Sequence, residues 1–469
     1  MEKRTRYFYT LFCGISLLFW NPVTFYLLHG NDYLYSFGTL KILFMFIFGI
    51  GVLFSYLMAI GKLPAWTCNV ILVLSNIGIL FGLLAIINHM LRPAYSLSSN
   101  KNRPDVSGLI FNANQTLHHF TFEFDYTANT NSLGLRGAEI DVNKGDKYRI
   151  VCVGDSWTYG WGANDNETWP AVLEHELHKK GVENVQVVNC AYPGGNSDDY
   201  KQTLLSVIPL LKPDLVLIGM HQLDDLAQIH ERQTQKQFKN AILERTSFKD
   251  KLVHIIVLYV KKSLENLAKQ MRGSKWQKVQ NGPSELKESI EVILANMNEA
   301  ESREYESMDS TYKHYFVTGN INPAMVDFYL RFPKRQIVFN NPFAKETQVA
   351  VQVLRKDLSD IKQLCSQNNC KAVVINLPDA FLTKHHVLLP WKNRALYTTK
   401  ENKIDSIYKS AVLWNNMPYM EMTNTFLNLP DKDKYFFKYD GHPNKNGYKQ
   451  MGTYIANELF KMEEFKYKK

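Results

Sequence analysis

Cysteine is scarce in this chain, with six in 469 residues. So few cannot build a disulfide scaffold. Cys13 and Cys68 fall in long apolar runs, and Cys152 and Cys190 in strand-like ones, where a small buried hydrophobe is the ordinary role. Cys365 and Cys370 flank the stretch SQNN, a spacing open to a bridge in an oxidising compartment. Metal-ligand spacing is lacking too. His118-His119 and His385-His386 have no cysteine or carboxylate at ligand intervals, so they read as surface or packing residues and no metal is expected. Gly160-Trp161-Gly162 lacks the third glycine of a dinucleotide loop, so no nicotinamide or other cofactor is expected. There is no internal repeat. The net charge of +9 is spread along the chain, with Lys-rich patches at 249–279 and the C-terminus and no nucleic-acid signature. That pattern suits a solvated face or attraction to anionic lipid, and nucleic acid is not an expected partner.

Charge is missing outright from three runs near the N-terminus, 7–28, 42–60 and 66–87. Each is about twenty residues, the length a helix needs to cross the hydrocarbon core. They read as three membrane spans. A cleavable leader would have a shorter apolar core and would not be followed by two more such runs. Lys3, Arg4 and Arg6 precede the first run, which places the N-terminus in the cytoplasm and everything after residue 91 on the outer, extracytoplasmic face. Asn21-Pro22 inside the first span is tolerable within a helix bundle.

Beyond the spans, residues 92–110 are rich in Ser, Asn and Pro and read as a tether. A short β-like segment follows, with alternation at Phe120, Phe122 and Phe124. From 147 the pattern becomes strand, loop, helix, repeated. YRIVCVG (148–154), VQVVNCAY (185–192), DLVLIGM (214–220) and KAVVINLP (371–378) read as strands buried on both faces. Helices are expected from Thr168, a cap candidate, to Gly181, over Asp198–Leu211, over 343–368, around 400–414 and over Lys445–Lys461. Strands alternating with helices imply an α/β domain whose parallel sheet is covered on both faces. The chain thus divides into a transmembrane region (1–91), a tether and lead-in (92–146), the first part of the α/β domain (147–228), a helical insertion or cap (229–340) and the second part (341–469). Within the insertion, 251–271 carries an apolar run too short to span a bilayer. It is read as a core helix of the cap, with a membrane-surface helix as the alternative.

Ligands of an open parallel sheet bind beyond the carboxyl ends of its strands. The first strand delivers Gly154-Asp155-Ser156 there, the second Gly194, Gly195 and Asn196, and the third Gly219-Met220-His221-Gln222. The loop before the last helix delivers Asp440 and His442. Taken singly, each piece is an ordinary turn; their order and common position suggest a nucleophile, oxyanion donors and an acid–base pair on one edge. Thr158 stands where a Gly-x-Ser-x-Gly elbow needs its second glycine, which argues against an α/β-hydrolase fold.

VCVGDSWTYGWG, the glycine loop after the second strand, the loop after the third and DGHPNKNGY resemble the SGNH (GDSL) hydrolase superfamily over roughly 147–228 and 336–461. The resemblance implies a flavodoxin-like doubly wound sheet, with Ser156 as nucleophile, His442 as general base and Asp440 as its orienting acid. Independently, a serine hydroxyl needs an imidazole to take its proton, and that imidazole needs a carboxylate on its far nitrogen. The family's oxyanion hole uses the serine N–H, a glycine N–H (Gly194 or Gly195 here) and an Asn amide from the third block. His221 stands where that Asn is expected. His221, Gln222 or Asn196 is expected to substitute as donor. A neutral His221 in that role would make activity sensitive to mildly acidic pH. Trp157, Tyr159 and Trp161 flank the serine and are candidates for lining a sugar or acyl site.

The expectation is a membrane-anchored ester hydrolase or O-acyltransferase acting through an acyl-serine. Related membrane-tethered SGNH domains, which this chain looks similar to, add or remove acyl groups on surface polysaccharides. The expected partners are therefore the lipid bilayer and an acylated carbohydrate or other ester, with a membrane partner protein left open. The alternatives are a degenerate SGNH domain serving as a binding or assembly subunit of a glycan export or modification complex, and a lipid-directed esterase.

Overall fold

The computed structural model describes residues 108–245, 278–281, 283–393, 396 and 401–461, of which 236–245, 278–281, 283–285 and 288 are described by their backbone only. The runs 7–28, 42–60 and 66–87, the tether up to residue 107 and the stretch 251–271 lie outside the described residues. Among the described residues no helix is long and apolar enough to cross a membrane.

Strands β1 (Thr116–Phe120) and β2 (Asp125–Asn129) form an antiparallel hairpin. The α/β pattern then begins with β3 (Tyr148–Gly154), the one-turn helix α1 (Ser156–Tyr159), α2 (Trp169–Lys179) and β4 (Val185–Asn189). It continues with α3 (Ser197–Leu211), β5 (Leu215–His221) and α4 (Asp224–Arg245). The insertion holds β6 (Lys278–Asn281), α5 (Pro283–Asn296), α6 (Glu299–Ser307), α7 (Ser310–Val317), α8 (Pro323–Arg331) and α9 (Arg335–Val338). The chain returns through α10 (Lys345–Gln367), β7 (Lys371–Leu377), α11 (Ile404–Trp414), β8 (Tyr419–Glu421), α12 (Thr423–Leu427) and α13 (Lys445–Lys461).

Five parallel strands make the main sheet in the order β4-β3-β5-β7-β8. Counted along the chain, that is the 2-1-3-4-5 order of the flavodoxin-like doubly wound fold, whose strand order reverses between its first and third strands. Here those strands are β3 and β5, and both are buried along their whole length. Successive side chains of a strand point to opposite faces, and the core divides accordingly. Val151, Val153, Val216, Ile218 and Met220 pack into the layer shared with α3, α10 and α11. Ile150, Cys152, Leu215 and Leu217 face the layer built from α2 and α13, where Trp169, Leu173, Tyr448 and Ile455 are fully buried.

Helix starts follow side-chain chemistry. Thr168 caps α2, accepting the Ala171 N–H, and Asn196 caps α3, accepting the Asp198 N–H at 3.1 Å while Asp199 reaches back to the Asn196 N–H. Three departures from the sequence-based reading matter. The second strand ends at Asn189 rather than Tyr192, although the Cys190 and Tyr192 N–H groups still bond the Cys152 (2.8 Å) and Gly154 (2.9 Å) carbonyls of the first strand. The third strand runs on to His221, paired in register with Leu377, so His221 lies within the sheet rather than in a loop. The insertion is not wholly helical, since β6 joins β1 in parallel to make a three-stranded sheet, β2-β1-β6. The short β8 shows no readable periodicity in three residues. Cys365 and Cys370 are buried free thiols, with the Cys370 Sγ 3.5 Å from the Cys365 carbonyl oxygen.

Close approach at the strand ends explains one pair of glycines. Gly154 and Gly219 face each other in register, and Thr158 sits over both. A Cβ on either would lie 2.1 Å (Gly154) or 2.2 Å (Gly219) from the Thr158 Oγ1 and 2.7 Å from the Gly219 carbonyl in the first case. Overpacking of this kind costs about 1–3 kcal/mol. Gly219→Ala is therefore expected to lower stability by that amount in urea unfolding, with part of the loss recovered when Thr158→Ala is added. Independent, additive effects of the two substitutions would show that the clash is not the cause.

Candidate active site

Strand β3 ends at Gly154, and the buried Asp155 carboxylate accepts the Trp157 N–H at 2.9 Å, capping α1. Ser156 is thereby set as the first residue of a helical turn at the reversal point of the sheet. The loop before α13 comes over it. Gly441 takes φ +84°, a left-handed conformation suited to glycine. Its N–H bonds the Phe437 carbonyl at 3.1 Å, and the Phe437 N–H bonds the His442 carbonyl at 2.9 Å. His442 Nε2 then lies 2.8 Å from Ser156 Oγ, and His442 Nδ1 is hydrogen-bonded to Asp440 Oδ1. Asp440 and His442 are both almost fully buried, whereas Ser156 is half-buried. A carboxylate on Nδ1 fixes the proton there and leaves Nε2 as the acceptor of the serine O–H.

Glu123, in the turn between β1 and β2, was not foreseen as part of the site. Its carboxylate accepts the N–H of Tyr439 at 2.9 Å and of Asp440 at 2.8 Å, pinning the loop that carries Asp440 and His442. Burial pushes its pKa up to about 7; the Tyr439 N–H opposes that rise and the neighbouring Asp440 carboxylate adds to it. The only visible signal was a glutamate placed between Phe122 and Phe124 in an otherwise apolar alternation.

Among the expected oxyanion groups, the structure separates usable donors from committed ones. Gln222 is committed. Its Nε2 donates to Thr423 Oγ1 at 2.9 Å and to Asp405, and its Oε1 accepts the Asp379 N–H at 2.6 Å. His221 is committed as well. Its ring stacks on Trp157 with centroids 3.7 Å apart, Nδ1 lies 3.2 Å from Asp224 Oδ2, and Nε2 lies 3.7 Å from Asp379 Oδ2. The Gly195 N–H is used by the Tyr192 carbonyl at 3.0 Å. Among the described residues, the N–H groups of Ser156 and Gly194 and the Nδ2 of Asn196 make no hydrogen bond, and Gly194 is exposed. Asn196 spends only its Oδ1 on the helix cap.

The surroundings of His221 differ from those of a neutral donor. Burial alone would lower its pKa, but Asp224, Asp155 and Asp379 surround it and hold it at about 9. Against the same burial, Arg335 and then His221 hold Asp224 down to about 2, with the Arg335 Nε donating to Asp224 Oδ1 at 2.9 Å. The imidazole at 221 is thus favoured in its charged form and faces a carboxylate at each nitrogen, with no well-aligned hydrogen bond at either.

Trp157 and Tyr159 are each about 2% exposed, so neither lines a substrate surface. Trp157 instead packs between two imidazoles, since His442 also lies against it at 4.2 Å between centroids. Two rings this close to one indole centroid fit only on its opposite faces. Tyr159 holds the buried Arg136, whose guanidinium carbon is 4.4 Å above its ring. Trp161 alone of the three faces a cavity, with its ring 6.2 Å from that of His442. The paired histidines are packing or hairpin residues: His118 Nε2 bonds Asp125 at 2.5 Å and His385 Nδ1 lies 2.9 Å from Thr383 Oγ1.

No family model and no curated protein matches this chain. Among solved structures it is similar to a lipase/acylhydrolase from Enterococcus faecalis, at 14% identity over 66% of this chain and 94% of that one, with a TM-score of 0.32. It is similar to a GDSL-like lipase from Bacteroides thetaiotaomicron at 13% identity over 69% and 92%, with a TM-score of 0.29. The corresponding values for the acetyl xylan esterase AlAXEase are 10%, 66%, 98% and 0.31.

Two outcomes follow from the electrostatics and the loop clamp. Because the folded pKa of His221 lies above its ordinary 6.5, its charge stabilises the fold fully below about pH 6.5, and that contribution fades as pH rises through about 9. Tm is expected to fall between about pH 7 and 10, and His221→Asn to flatten that decline; an unaltered slope in the variant would remove His221 as its source. Glu123→Ala should lower kcat/KM on any ester the protein hydrolyses by more than about tenfold, since small displacements of a base are costly. Glu123→Gln, which keeps one acceptor oxygen, should retain part of it. Equal activity in all three proteins would deny Glu123 a positioning role.

Proposed function

We propose that this protein is a serine ester hydrolase of the SGNH type, working through an acyl-enzyme on Ser156. The observation that carries the reading is the continuous chain from Ser156 Oγ to His442 Nε2 (2.8 Å) and from His442 Nδ1 to Asp440, at the reversal point of a 2-1-3-4-5 sheet. In the first step the Ser156 hydroxyl proton passes to His442 Nε2 as Oγ bonds to the ester carbonyl carbon. The negative charge that develops on the carbonyl oxygen falls to the N–H groups of Ser156 and Gly194 and the Nδ2 of Asn196, which takes the place of the missing third-block amide. Collapse breaks the carbon–oxygen bond to the alcohol, which leaves with the proton from His442 Nε2. A second oxygen nucleophile, deprotonated by His442, then attacks the acyl-serine and frees Ser156. Water at that step gives hydrolysis, and a sugar hydroxyl gives transfer of the acyl group.

The setting completes the proposal. The uncharged runs 7–28, 42–60 and 66–87 are read as spans that anchor the protein, with the catalytic unit on the outer face and acylated surface glycan as its substrate. Support for this lies in the length of those runs and in the basic residues that precede the first.

A serine-reactive fluorophosphonate, applied to the full-length protein in detergent, tests the reading. Labelling is expected for the unaltered protein and its loss for Ser156→Ala; no labelling of the folded protein would leave the hydrolase reading without support. Asn196→Asp retains the Oδ1 cap of α3 but removes the amide donor. It is expected to lower kcat by about 10²–10³ with Tm near that of the unaltered protein. A fall of less than about threefold would take Asn196 out of the oxyanion hole.

A further inference from the structure

The α/β core places a nucleophile and a base, but a second feature is built beside them from segments outside that core. A cavity of about 550 Å³ opens between the hairpin lead-in, the loop after Ser156 and the insertion. One wall is aromatic: Trp161 lies against His119 at 5.1 Å and edge-on to Phe124 at 6.3 Å between centroids. The opposite wall comes from α5 and α8, with Val292 and Ile293 as apolar surface and Ser289, Asn322 and Asp327 as polar groups. Trp161 is fixed from behind, because the Tyr448 hydroxyl donates to its carbonyl at 2.9 Å.

We propose that this cavity is the subsite for the alcohol half of the ester, and that the alcohol it takes is a saccharide. This rests on the acyl-Ser156 reading. Position argues for the alcohol half. His442 Nε2 must deliver its proton to the leaving oxygen, so the alcohol departs on the side of His442. Trp161, the wall of the cavity, stands on that side with its ring 6.2 Å from the imidazole. The lining selects the chemistry. No lysine or arginine lines the cavity, and the Asp327 carboxylate that does is paired with Arg331 at 2.8 Å, so the lining offers an anion no free cation. His119 adds no charge, since burial lowers its pKa to about 4. A hydrocarbon chain would lie against Ser289, the Asn322 amide, whose Oδ1 accepts the Ala324 N–H at 3.1 Å, and the paired Asp327, a polar surface ill-matched to carbon. A pyranose ring has an apolar face to lie on the aromatic wall and hydroxyls at its edge for the polar groups opposite. The volume lies within the range of ordinary small-ligand sites.

Filling the cavity tests this. Val292 is 55% exposed, so Val292→Trp introduces bulk without disturbing buried packing; Ser289→Trp, also on an exposed position of α5, serves as a second filling variant. Full-length protein is kept in a polyoxyethylene detergent, because sugar-headed detergents would compete. Three esters are compared: mono-O-acetylated xylobiose, p-nitrophenyl acetate and p-nitrophenyl octanoate. The expected result is a tenfold or larger fall in kcat/KM for the xylobiose ester relative to p-nitrophenyl acetate, with the octanoate-to-acetate ratio unmoved. In parallel, calorimetric titration of Ser156→Ala protein with mono-O-acetylated xylobiose should show binding that weakens tenfold or more when Val292→Trp is added. A fall confined to the octanoate ratio would make the cavity an acyl groove and overturn the proposal, as would unmoved ratios or an absence of saccharide binding. If the unaltered protein cleaves none of the esters, the acyl-serine reading fails, while the titration still decides whether the cavity takes a saccharide.

Discussion

Behind the serine, four buried carboxyl groups and two cations share one space, and the balance there between ion pairing and carboxyls that burial pushes toward protonation is the constraint on which the site depends. Asp155, Asp224, Asp225 and Asp379 are each 5% exposed or less, as are His221 and Arg335. Burying a charge without a partner costs several kcal/mol, so the members of such a cluster hold one another in place. They come from different parts of the chain: Asp155 from the serine loop, His221 from the end of β5, Asp224 and Asp225 from the start of α4, Asp379 from beyond β7, and Arg335 from the insertion. The Asp225 carboxylate also accepts the His221 N–H at 2.7 Å and the Tyr200 hydroxyl at 2.6 Å, and burial raises its pKa. Arg335 makes the insertion a structural part of the site, because without it Asp224 would lose the strongest of the forces that keep it ionised.

That cluster reaches the reaction through one indole. Trp157 follows Ser156 in sequence and separates His221, held charged by its carboxylates, from His442, the base of the proposed mechanism. A protonated imidazole over an indole face gains cation–π attraction, and burial strengthens it. Asp440 is bonded to His442 Nδ1 while its own backbone is clamped by Glu123. The His442 imidazole is therefore held by Trp157 and by Asp440, with Glu123 clamping the loop that carries Asp440 and His442.

How much of this was legible depended on the distance over which each relation acts. β3 and β5 announced themselves as apolar runs, and the starts of α2 and α3 as capping residues, because those signals are local. Ser156, Asp440 and His442 were legible as a group because each follows directly on an element whose place in a parallel sheet is dictated by the alternating pattern. Glu123 was not, since its bond to Asp440 spans 317 positions and its own surroundings look like an ordinary hairpin. The charge on His221 was not legible. Its neighbours in sequence include Asp224 and Asp225, yet Asp155 and Asp379 approach only in the folded chain, and they help to raise its pKa. The surroundings of Gln222 were hidden for the related reason that it looks free until Asp405, Thr423 and Asp379 surround it.

A doubly wound sheet delivers its reactive groups to one edge but leaves that edge open to water, and an ester in water needs more than a nucleophile to be held in register. The two additions to this fold address that deficit from opposite sides. The hairpin lead-in contributes Glu123 to the catalytic loop and Phe124 and His119 to the wall beside Trp161. The insertion contributes Arg335 to the buried charges and α5 and α8 to the facing wall. The lead-in and the insertion are also joined to each other, through the parallel pairing of β6 with β1. Each thus combines a residue that holds the Ser156–His442–Asp440 group in place with residues that line the cavity. Displacing either one is expected to alter the geometry of His442 and the shape of the cavity together, because the same segments define both.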